Sequence, residues 1–327
     1  MLTLTLPFER YLDGIAEMPP SWPMAALEAQ AIAARSYALA TTGWSGPQGR
    51  TLGTPICATT SCQVYAGIPV PRDPSVHRWY RAVRTTSGEV LIFGGRPADT
   101  VYFSTSNGHT YGNDQVFGSA PLPYLRPVVE RNDGASPTSH WRVRIPFRDL
   151  TRFLHADGEW PGALTISRIH TAGTRVVISG GGSTRSIDVD MFRDAVNTWA
   201  PCLEPGQYPS GALPQTIPSH WLGIASTRRA ALVRGRGWGH GVGMVQWGAR
   251  GKALLGYSAS RILASYYGGF RPRRYPEPGL IHVIVASGLT SLRIVPSGPG
   301  AALNGHPLGT GPLSINGGGR LTTSTSP

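Results

Sequence analysis

Acidic residues are scarce in this sequence, and so are lysine, cysteine and long apolar runs. Only 18 of the 327 residues are Asp or Glu, so an acid–base mechanism has few carboxylates to draw on. Lys252 is the one lysine among 30 basic residues, a skew that we attribute to a GC-rich genome rather than to nucleic-acid binding. No apolar run approaches 18 residues and no heptad pattern persists, which excludes a transmembrane helix and a coiled coil.

The three cysteines are Cys57, Cys62 and Cys202. Cys57 and Cys62 can close a small disulfide loop if the chain is exported. A zinc site would need two further ligands, and no other Cys or His lies within ten residues of this pair. The opening residues 1–7 lack the basic and apolar regions of a signal peptide. They alternate as a strand does, and we expect the sequence to begin inside a longer chain.

Glycine and proline are abundant, with 42 and 29 residues, which predicts many turns and argues against a helix bundle. An alanine-rich helix is predicted at 24–41, followed by strand-like segments near 63–66, 78–93 and 100–105. Strands near 141–146 and 174–179 and a helix at 190–199 follow. This order predicts an α+β fold: a mixed domain with the long helix packed on a twisted sheet, and an inserted β-rich lobe.

The predicted domain organisation has three parts. Residues 1–112 and 226–275 form two halves of one catalytic cleft. Residues 113–225 form an inserted or accessory region. Residues 276–327 form a β-hairpin and a tail rich in Gly, Ser and Thr, which is either a linker or the start of a further domain.

Glu17 is the strongest candidate for acid catalysis. It follows a short predicted helix, and Met18 and Trp22 offer apolar cover. Burial against apolar neighbours raises the pKa of a carboxyl group, as a general acid at neutral pH requires. A solvated loop residue or a helix cap is the alternative. Arg35, on the long helix, either pairs with Glu17, binds an anionic or hydroxyl-rich ligand, or lies on an exposed helix face.

Two further segments carry candidate binding residues. Residues 102–110 place small hydroxyls beside a glycine, so they either bind a polar ligand or form a polar turn. The glycine-rich segment 235–243 lets the backbone approach a ligand or another strand closely, and its spacing does not fit a dinucleotide-binding loop. In this segment Trp238 can stack on a sugar ring, and His240 can donate a hydrogen bond or act as a base. A structural glycine turn is the alternative.

Four blocks of the sequence, at 17–38, 62–67, 102–106 and 235–268, match one known family in the same order. They resemble the SpoIID/LytB family of bacterial cell-wall proteins, which includes stage II sporulation protein D and amidase enhancers. The resemblance implies a lytic transglycosylase that cuts MurNAc-β-1,4-GlcNAc bonds of peptide-stripped glycan strands and leaves 1,6-anhydro-MurNAc ends. Glu17 matches the catalytic acid of the family, and Arg35 matches a functional arginine.

The resemblance also guides the choice of the other site residues. The expected substrate-binding residues are Arg35, Gln63, Tyr65, Ser104, Ser106, Trp238, His240 and Gln246. We expect Glu17 and His240 to share one pocket. Some family members bind zinc near the cysteine block through His and Cys. Because no histidine lies near Cys57 and Cys62 here, we expect a disulfide or free thiols and no cofactor.

Two departures from the family and three hypotheses follow. The family often has Lys where this chain has Glu28, and Gly-Gly where it has Asn107-Gly108. The leading hypothesis is an exported, extracytoplasmic enzyme that acts on glycan strands in wall growth or remodelling, and Glu17 and Arg35 favour it. The second is a non-catalytic module that grips glycan and recruits an N-acetylmuramoyl-L-alanine amidase or another wall hydrolase. The third is a scaffold of an envelope complex. No nucleic-acid partner is expected.

Overall fold

The computed structural model describes residues 1–46, 54–68, 76–208 and 216–288, and the backbone of five short strands after them. Its helices are α1 (Phe8–Asp13), α2 (Met24–Thr41), α3 (Val76–Thr85), α4 (Asn113–Phe117), α5 (Phe147–Ala156), α6 (Val189–Leu203), α7 (Gln246–Leu254) and α8 (Ala259–Tyr266). None of these described helices is long and apolar enough to cross a membrane.

The strands are β1 (Leu2–Pro7), β2 (Ile56–Cys57), β3 (Glu89–Val90), β4 (Ile92–Phe93), β5 (Arg96–Pro97), β6 (Tyr102–Phe103), β7 (Trp141–Pro146), β8 (Arg168–Ala172), β9 (Arg175–Gly180), β10 (Ser183–Asp188), β11 (Leu222–Ser226), β12 (Ala230–Gly235), β13 (Met244–Val245), β14 (Arg273–Arg274), β15 (Leu280–Ala286), β16 (Ser291–Ile294), β17 (Ala302–Leu303), β18 (His306–Pro307), β19 (Leu313–Asn316) and β20 (Ser324–Thr325). The mixture of helices and strands confirms the predicted α+β class.

Helix α2 is the centre of the first hydrophobic core. Alanine has the highest helix propensity, and α2 begins directly after Pro23, whose fixed φ suits a helix start. Most of its side chains are buried. Its neighbours are chiefly α3, α7 and α8 and the short strands β3 and β5. The long helix is thus enclosed mainly by helices, because its small side chains let neighbours approach from several sides.

Helix α3 replaces much of the strand that the sequence pattern predicts at 78–93. Trp79, Ala82 and Val83 are its buried residues, and their spacing of three and four places them on one face of a helix. The apolar residues of this short stretch fit both periods, and packing against α2 selects the helix.

Strand β15, late in the chain, pairs with two strands near its start. It runs antiparallel to β1 and parallel to β2, so the sheet order is β1-β15-β2. Strand β16 pairs with β19 instead. Strands β15 and β16 therefore do not pair with each other, so these two strands do not form the β-hairpin expected within 276–327.

A second core lies in the middle of the chain. Two three-stranded sheets, β11-β12-β7 and β10-β9-β8, pack with α5 and α6. The buried residues of this core fall between Ile145 and Val233, and those of the first core fall between 6 and 125 and between 242 and 283. We call 141–235 the second lobe and the rest of 1–288 the first lobe. The predicted limits at 113 and 225 cut through a core at each end, since Tyr124 packs in the first and Val233 in the second.

Candidate functional site

Glu17 lies in the turn between α1 and α2, against the segment that follows the disulfide loop. The backbone N–H of Ala16 donates to the carbonyl of Val64 (3.0 Å), and Ile15 forms a β-bridge with Tyr65. The N–H of Val64 then donates to Oε1 of Glu17 at 2.6 Å. These contacts fix both the backbone and the carboxyl group of Glu17.

The electrostatic setting of Glu17 favours its protonated form. Burial raises the pKa of its carboxyl group, while hydrogen bonds from Val64 N–H and from the side chain of Gln246 oppose that rise in part. No charged neighbour among the described residues contributes to this shift. Desolvation alone therefore raises the proton affinity, which is the origin expected from the sequence.

Tyrosines joined by a buried amide surround Glu17, and we call these surroundings the Glu17 pocket. Gln63 donates from Nε2 to the hydroxyl of Tyr11 (2.7 Å) and accepts at Oε1 from the hydroxyl of Tyr102 (2.7 Å). Glu17 contributes to raising the pKa of Tyr11, Tyr37 and Tyr102, after burial. The three phenols thus remain protonated around an ionisable carboxyl group.

Two glutamines connect α2 and α7 behind Glu17. Gln246 begins α7, and its Nε2 lies 3.4 Å from Oε1 of Gln30 on α2. Gln30 is fully buried, and its Nε2 has no hydrogen-bond partner in the described part of the chain. Gln246 was predicted to bind substrate, but it is almost wholly buried and hydrogen-bonds Glu17 itself. Its geometry makes it a positioning residue.

Four residues of this pocket were missed by sequence reasoning: Tyr11, Gln30, Tyr37 and Tyr102. All but Tyr11 stand inside the blocks that carry the family resemblance. Aromatic and amide side chains usually belong to the core, and only the fold shows that the three tyrosines lie near Glu17 and that Gln30 contacts Gln246. Gln63, predicted to bind substrate, is 1% exposed, so it holds Tyr11 and Tyr102 in place and does not reach a ligand.

Arg35 is not a ligand-binding residue in this structure. Its side chain is completely buried, and its Nε and Nη2 donate to the two carboxylate oxygens of Glu9 at 2.8 and 3.0 Å. Nε also lies 2.9 Å from Oε1 of Glu277. The expected pairing with Glu17 and the expected substrate contact are both wrong, because two other carboxylates occupy the guanidinium group.

Ser106 is also part of the framework. Its N–H and its hydroxyl both donate to Oδ2 of Asp133, at 2.8 and 2.7 Å, and the residue is 3% exposed. A ligand cannot reach this hydroxyl, so its predicted substrate contact is wrong. Ser104 is half-buried, with its Oγ 3.1 Å from Oγ1 of Thr105. Its predicted substrate contact stays a prediction.

His240 lies on the other side of β6 from Glu17. Successive side chains of a strand point to opposite faces. Tyr102 points toward Glu17, whereas Phe103 points toward the ring of His240, with centroids 5.5 Å apart. The expectation that Glu17 and His240 share one pocket is therefore wrong.

Both ring nitrogens of His240 are used within the fold. Its Nδ1 accepts from the N–H of Val242 (3.1 Å), which leaves the proton on Nε2, 2.9 Å from the carbonyl of Tyr102. Burial lowers the pKa of His240 to about 4, against the effect of the Tyr102 bond. His240 is thus neutral at neutral pH, with both ring nitrogens bonded within the fold, and its predicted substrate contact stays a prediction.

The glycine-rich segment 235–243 serves close packing. A side chain at Gly237 or Gly241 would collide with the indole of Trp221, and one at Gly239 would collide with Phe103. The half-buried Trp238 exchanges backbone hydrogen bonds with Thr105 (2.8 and 3.1 Å). Its role in sugar stacking stays a prediction.

The cysteine block carries a disulfide in place of free thiols. Cys57 and Cys62 are bonded to each other, and Cys202 is free and exposed. Within the described ranges, no three His, Cys, Asp or Glu side chains are grouped so that they could hold a metal ion. Tyr65, just after the disulfide loop, is half-buried and stacks on Tyr11 with ring centroids 5.4 Å apart. Its predicted substrate contact stays a prediction.

Comparisons with known proteins place these observations in context. The sequence model of a family described as "Stage II sporulation protein" matches residues 2–93. An uncharacterized protein of Brachyspira hyodysenteriae is 30% identical over 271 residues, which cover 81% of this chain and 66% of that protein. The amidase enhancer of Bacillus subtilis is 27% identical, over 77% of this chain and 38% of the relative. Stage II sporulation protein D of Bacillus subtilis is 26% identical, over 81% and 74%. This chain thus spans just under two thirds of the first relative and well under half of the second.

Proposed function

We propose, since the chain belongs to the SpoIID family, that it is a lytic transglycosylase of peptidoglycan. Its substrate would be the β-1,4 bond between N-acetylmuramic acid and N-acetylglucosamine in peptide-stripped glycan strands. The observation that carries the proposal is the Glu17 pocket, where burial raises the pKa of a fixed carboxyl group and no charged neighbour contributes. The relatives' names support the coarser statement of a cell-wall and sporulation role.

In the proposed reaction Glu17 first acts as an acid. Its proton goes to the glycosidic oxygen, which leaves as the 4-hydroxyl of N-acetylglucosamine when its bond to C1 of the muramic acid breaks. The 6-hydroxyl of the same muramic acid then attacks C1, and its proton returns to the Glu17 carboxylate. One C–O bond forms for the one that breaks, and no water is consumed.

This scheme explains why one carboxylate suffices. Ordinary glycosidases use two carboxylates, the second of which activates water or attacks C1. The substrate's own 6-hydroxyl replaces that second group. The pocket agrees, because none of the other described carboxylates contributes to the pKa of Glu17. Gln246 and the N–H of Val64 would orient the carboxyl group.

A digestion experiment tests the proposal. Wild type, Glu17→Gln and the matched control Glu159→Gln are incubated with purified glycan strands, with and without stem peptides, and products are identified by mass spectrometry. We expect 1,6-anhydro ends, lighter by one water than hydrolysed ends, from wild type and the control on bare strands. Glu17→Gln should form them at least ~100-fold more slowly, the usual contribution of a general acid. Hydrolysed ends, or equal activity of Glu17→Gln, would refute the proposal.

A second candidate is a glycan-binding amidase enhancer. The similarity to the amidase enhancer of Bacillus subtilis supports it. Under this proposal the chain acts outside the cytoplasm, holds glycan strands and recruits an N-acetylmuramoyl-L-alanine amidase. Uncut strands that sediment with the protein, together with faster amidase turnover in its presence, would favour this candidate over the enzyme.

A further inference from the structure

A cavity of about 740 Å³ lies where the two lobes meet, outside the Glu17 pocket. Trp141 on one wall packs against the second core, and Trp221 on another packs against the first. Its volume is in the range of small-molecule sites, which often lie between domains. Arg142, Arg234 and Arg236 also line it, and we call it the arginine cavity.

The arrangement of these arginines is unfavourable without a ligand. Arg142 on β7 and Arg234 on β12 are direct partners in the antiparallel register, and like charges opposite each other destabilise a sheet. Arg236 follows the end of β12. All three are exposed, and none forms an ion pair with a described residue. Three unpaired guanidinium groups around one cavity favour an anionic ligand.

No acidic residue of the cavity lining neutralises these arginines. None of the residues that line the cavity is acidic. Asp190 approaches it through His220, whose Nδ1 lies 3.2 Å from Oδ1 of Asp190. Asp190 is thus paired with His220, and the three guanidinium groups remain available to an anionic ligand.

We propose that the arginine cavity binds the free lactyl carboxylate of a muramic acid in a peptide-stripped glycan strand. The inference rests on the proposed function. An amidase that removes a stem peptide converts the lactyl amide into a carboxylate, so only stripped strands carry this anion at each muramic acid. Guanidinium groups pair with carboxylates through two parallel hydrogen bonds. The cavity would thus recognise that stripping has occurred.

Binding to defined strands tests this inference. The Glu17→Gln chain, which should hold strands without cutting them, is titrated with fluorescently labelled bare strands. The same strands with their carboxylates converted to neutral amides form the second ligand. Arg142→Gln/Arg234→Gln removes two charges at the cavity. The control Arg228→Gln/Arg229→Gln removes two exposed charges at the opposite end of the β11–β12 hairpin.

We expect the cavity variant to bind bare strands at least about tenfold more weakly, since each lost charge-assisted pair corresponds to roughly that factor. Amidated strands should bind the Glu17→Gln chain about as weakly as bare strands bind the cavity variant. Adding Arg142→Gln/Arg234→Gln should lower the affinity for amidated strands less than twofold. The control should retain bare-strand binding within twofold. Thermal unfolding should show no loss of stability in the cavity variant, because a repulsive pair has been removed.

Two outcomes would overturn the inference: amidated strands bind as well as bare ones, or the control loses as much affinity for bare strands as the cavity variant. Cleavage by the wild-type chain is measured separately. Carboxylate-dependent binding without any cleavage would support ligand binding in the arginine cavity and refute the proposed lytic transglycosylase activity. Cleavage together with binding that does not depend on the carboxylate would support the enzyme and refute the proposal for the arginine cavity.

Discussion

Replacement of Arg35 by methionine is expected to destabilise the first lobe rather than to weaken substrate contact directly. Arg35 lies in the middle of α2 with no exposed surface. It joins α2 to α1 through Glu9 and to the segment before β15 through Glu277. It also donates to the carbonyl of Val83 on α3 at 3.1 Å. The Arg35 side chain thus links α2 to α1, to α3 and to the segment before β15.

The expected loss is large because the two carboxylates stay behind. Removing one partner of a buried ion pair destabilises a protein by about 3–5 kcal/mol. At ~2–4 °C per kcal/mol this corresponds to a fall of about 10 °C in Tm. Methionine retains much of the apolar stem, so cavity formation adds little. The triple variant Arg35→Met/Glu9→Gln/Glu277→Gln has no uncompensated charge and should regain most of the loss.

Thermal unfolding followed by circular dichroism measures these changes, and glycan binding is measured at a temperature where both variants are folded. We expect the folded Arg35→Met chain to bind bare strands within about threefold of wild type, a shift of under 1 kcal/mol. An unchanged Tm combined with lost glycan binding would refute the structural interpretation and restore Arg35 as a substrate-binding residue.

Three further predictions concern buried groups. Burial and the neighbouring Glu9 raise the pKa of Glu277 from 4.5 to about 7, against the attraction of Arg35. The resulting stability is full below about pH 4.5 and is lost as the pH rises through 7, so Glu277→Gln should flatten the fall of Tm between pH 5 and 8. Lys252→Met leaves Glu130 buried without its partner at 2.5 Å and should lower the free energy of unfolding by about 3–5 kcal/mol in urea titrations. Gly243 has φ +77°, and a side chain there meets the carbonyl of residue 101. Gly243→Ala should therefore lower the unfolding free energy by about 2 kcal/mol or more, and a loss under ~0.5 kcal/mol would contradict this packing.

Elements with a strong local pattern were predictable from the sequence. The alanine-rich helix at 24–41 is α2, the strand expected at 141–146 is β7, and the helix expected at 190–199 lies within α6. Their residues satisfy one periodicity and one set of boundary signals. The pairing of β1 with β15 was not predictable, because the partners stand at opposite ends of the first lobe and no local pattern identifies them.

The same distinction applies to the candidate site. The direction of the pKa shift of Glu17 was predictable because burial causes it, but the tyrosines and glutamines that surround the carboxyl group in the fold were not. The partners of Arg35 were not, because helix position alone cannot distinguish Glu9 and Glu277 from Glu17 as the neighbouring carboxylate. The error for His240 has another cause. Glycine-rich sequence indicates close approach but does not say whether a ligand or a ring such as that of Trp221 fills the space.

The two proposed sites place opposite electrostatic demands on the chain. A general acid needs a raised pKa, and a guanidinium group within about 4–6 Å would lower that of Glu17 by roughly 1–3 units. An anionic glycan strand needs positive charge to attract and orient it. Unpaired arginines beside Glu17 would serve the second demand and defeat the first. In this fold the two demands are met by different groups: the pKa of Glu17 is raised among tyrosines and amides with no contribution from an arginine, while the unpaired arginines line the arginine cavity. Because none of these arginines contributes to the pKa of Glu17, the arginine cavity can hold a carboxylate while Glu17 keeps its raised proton affinity.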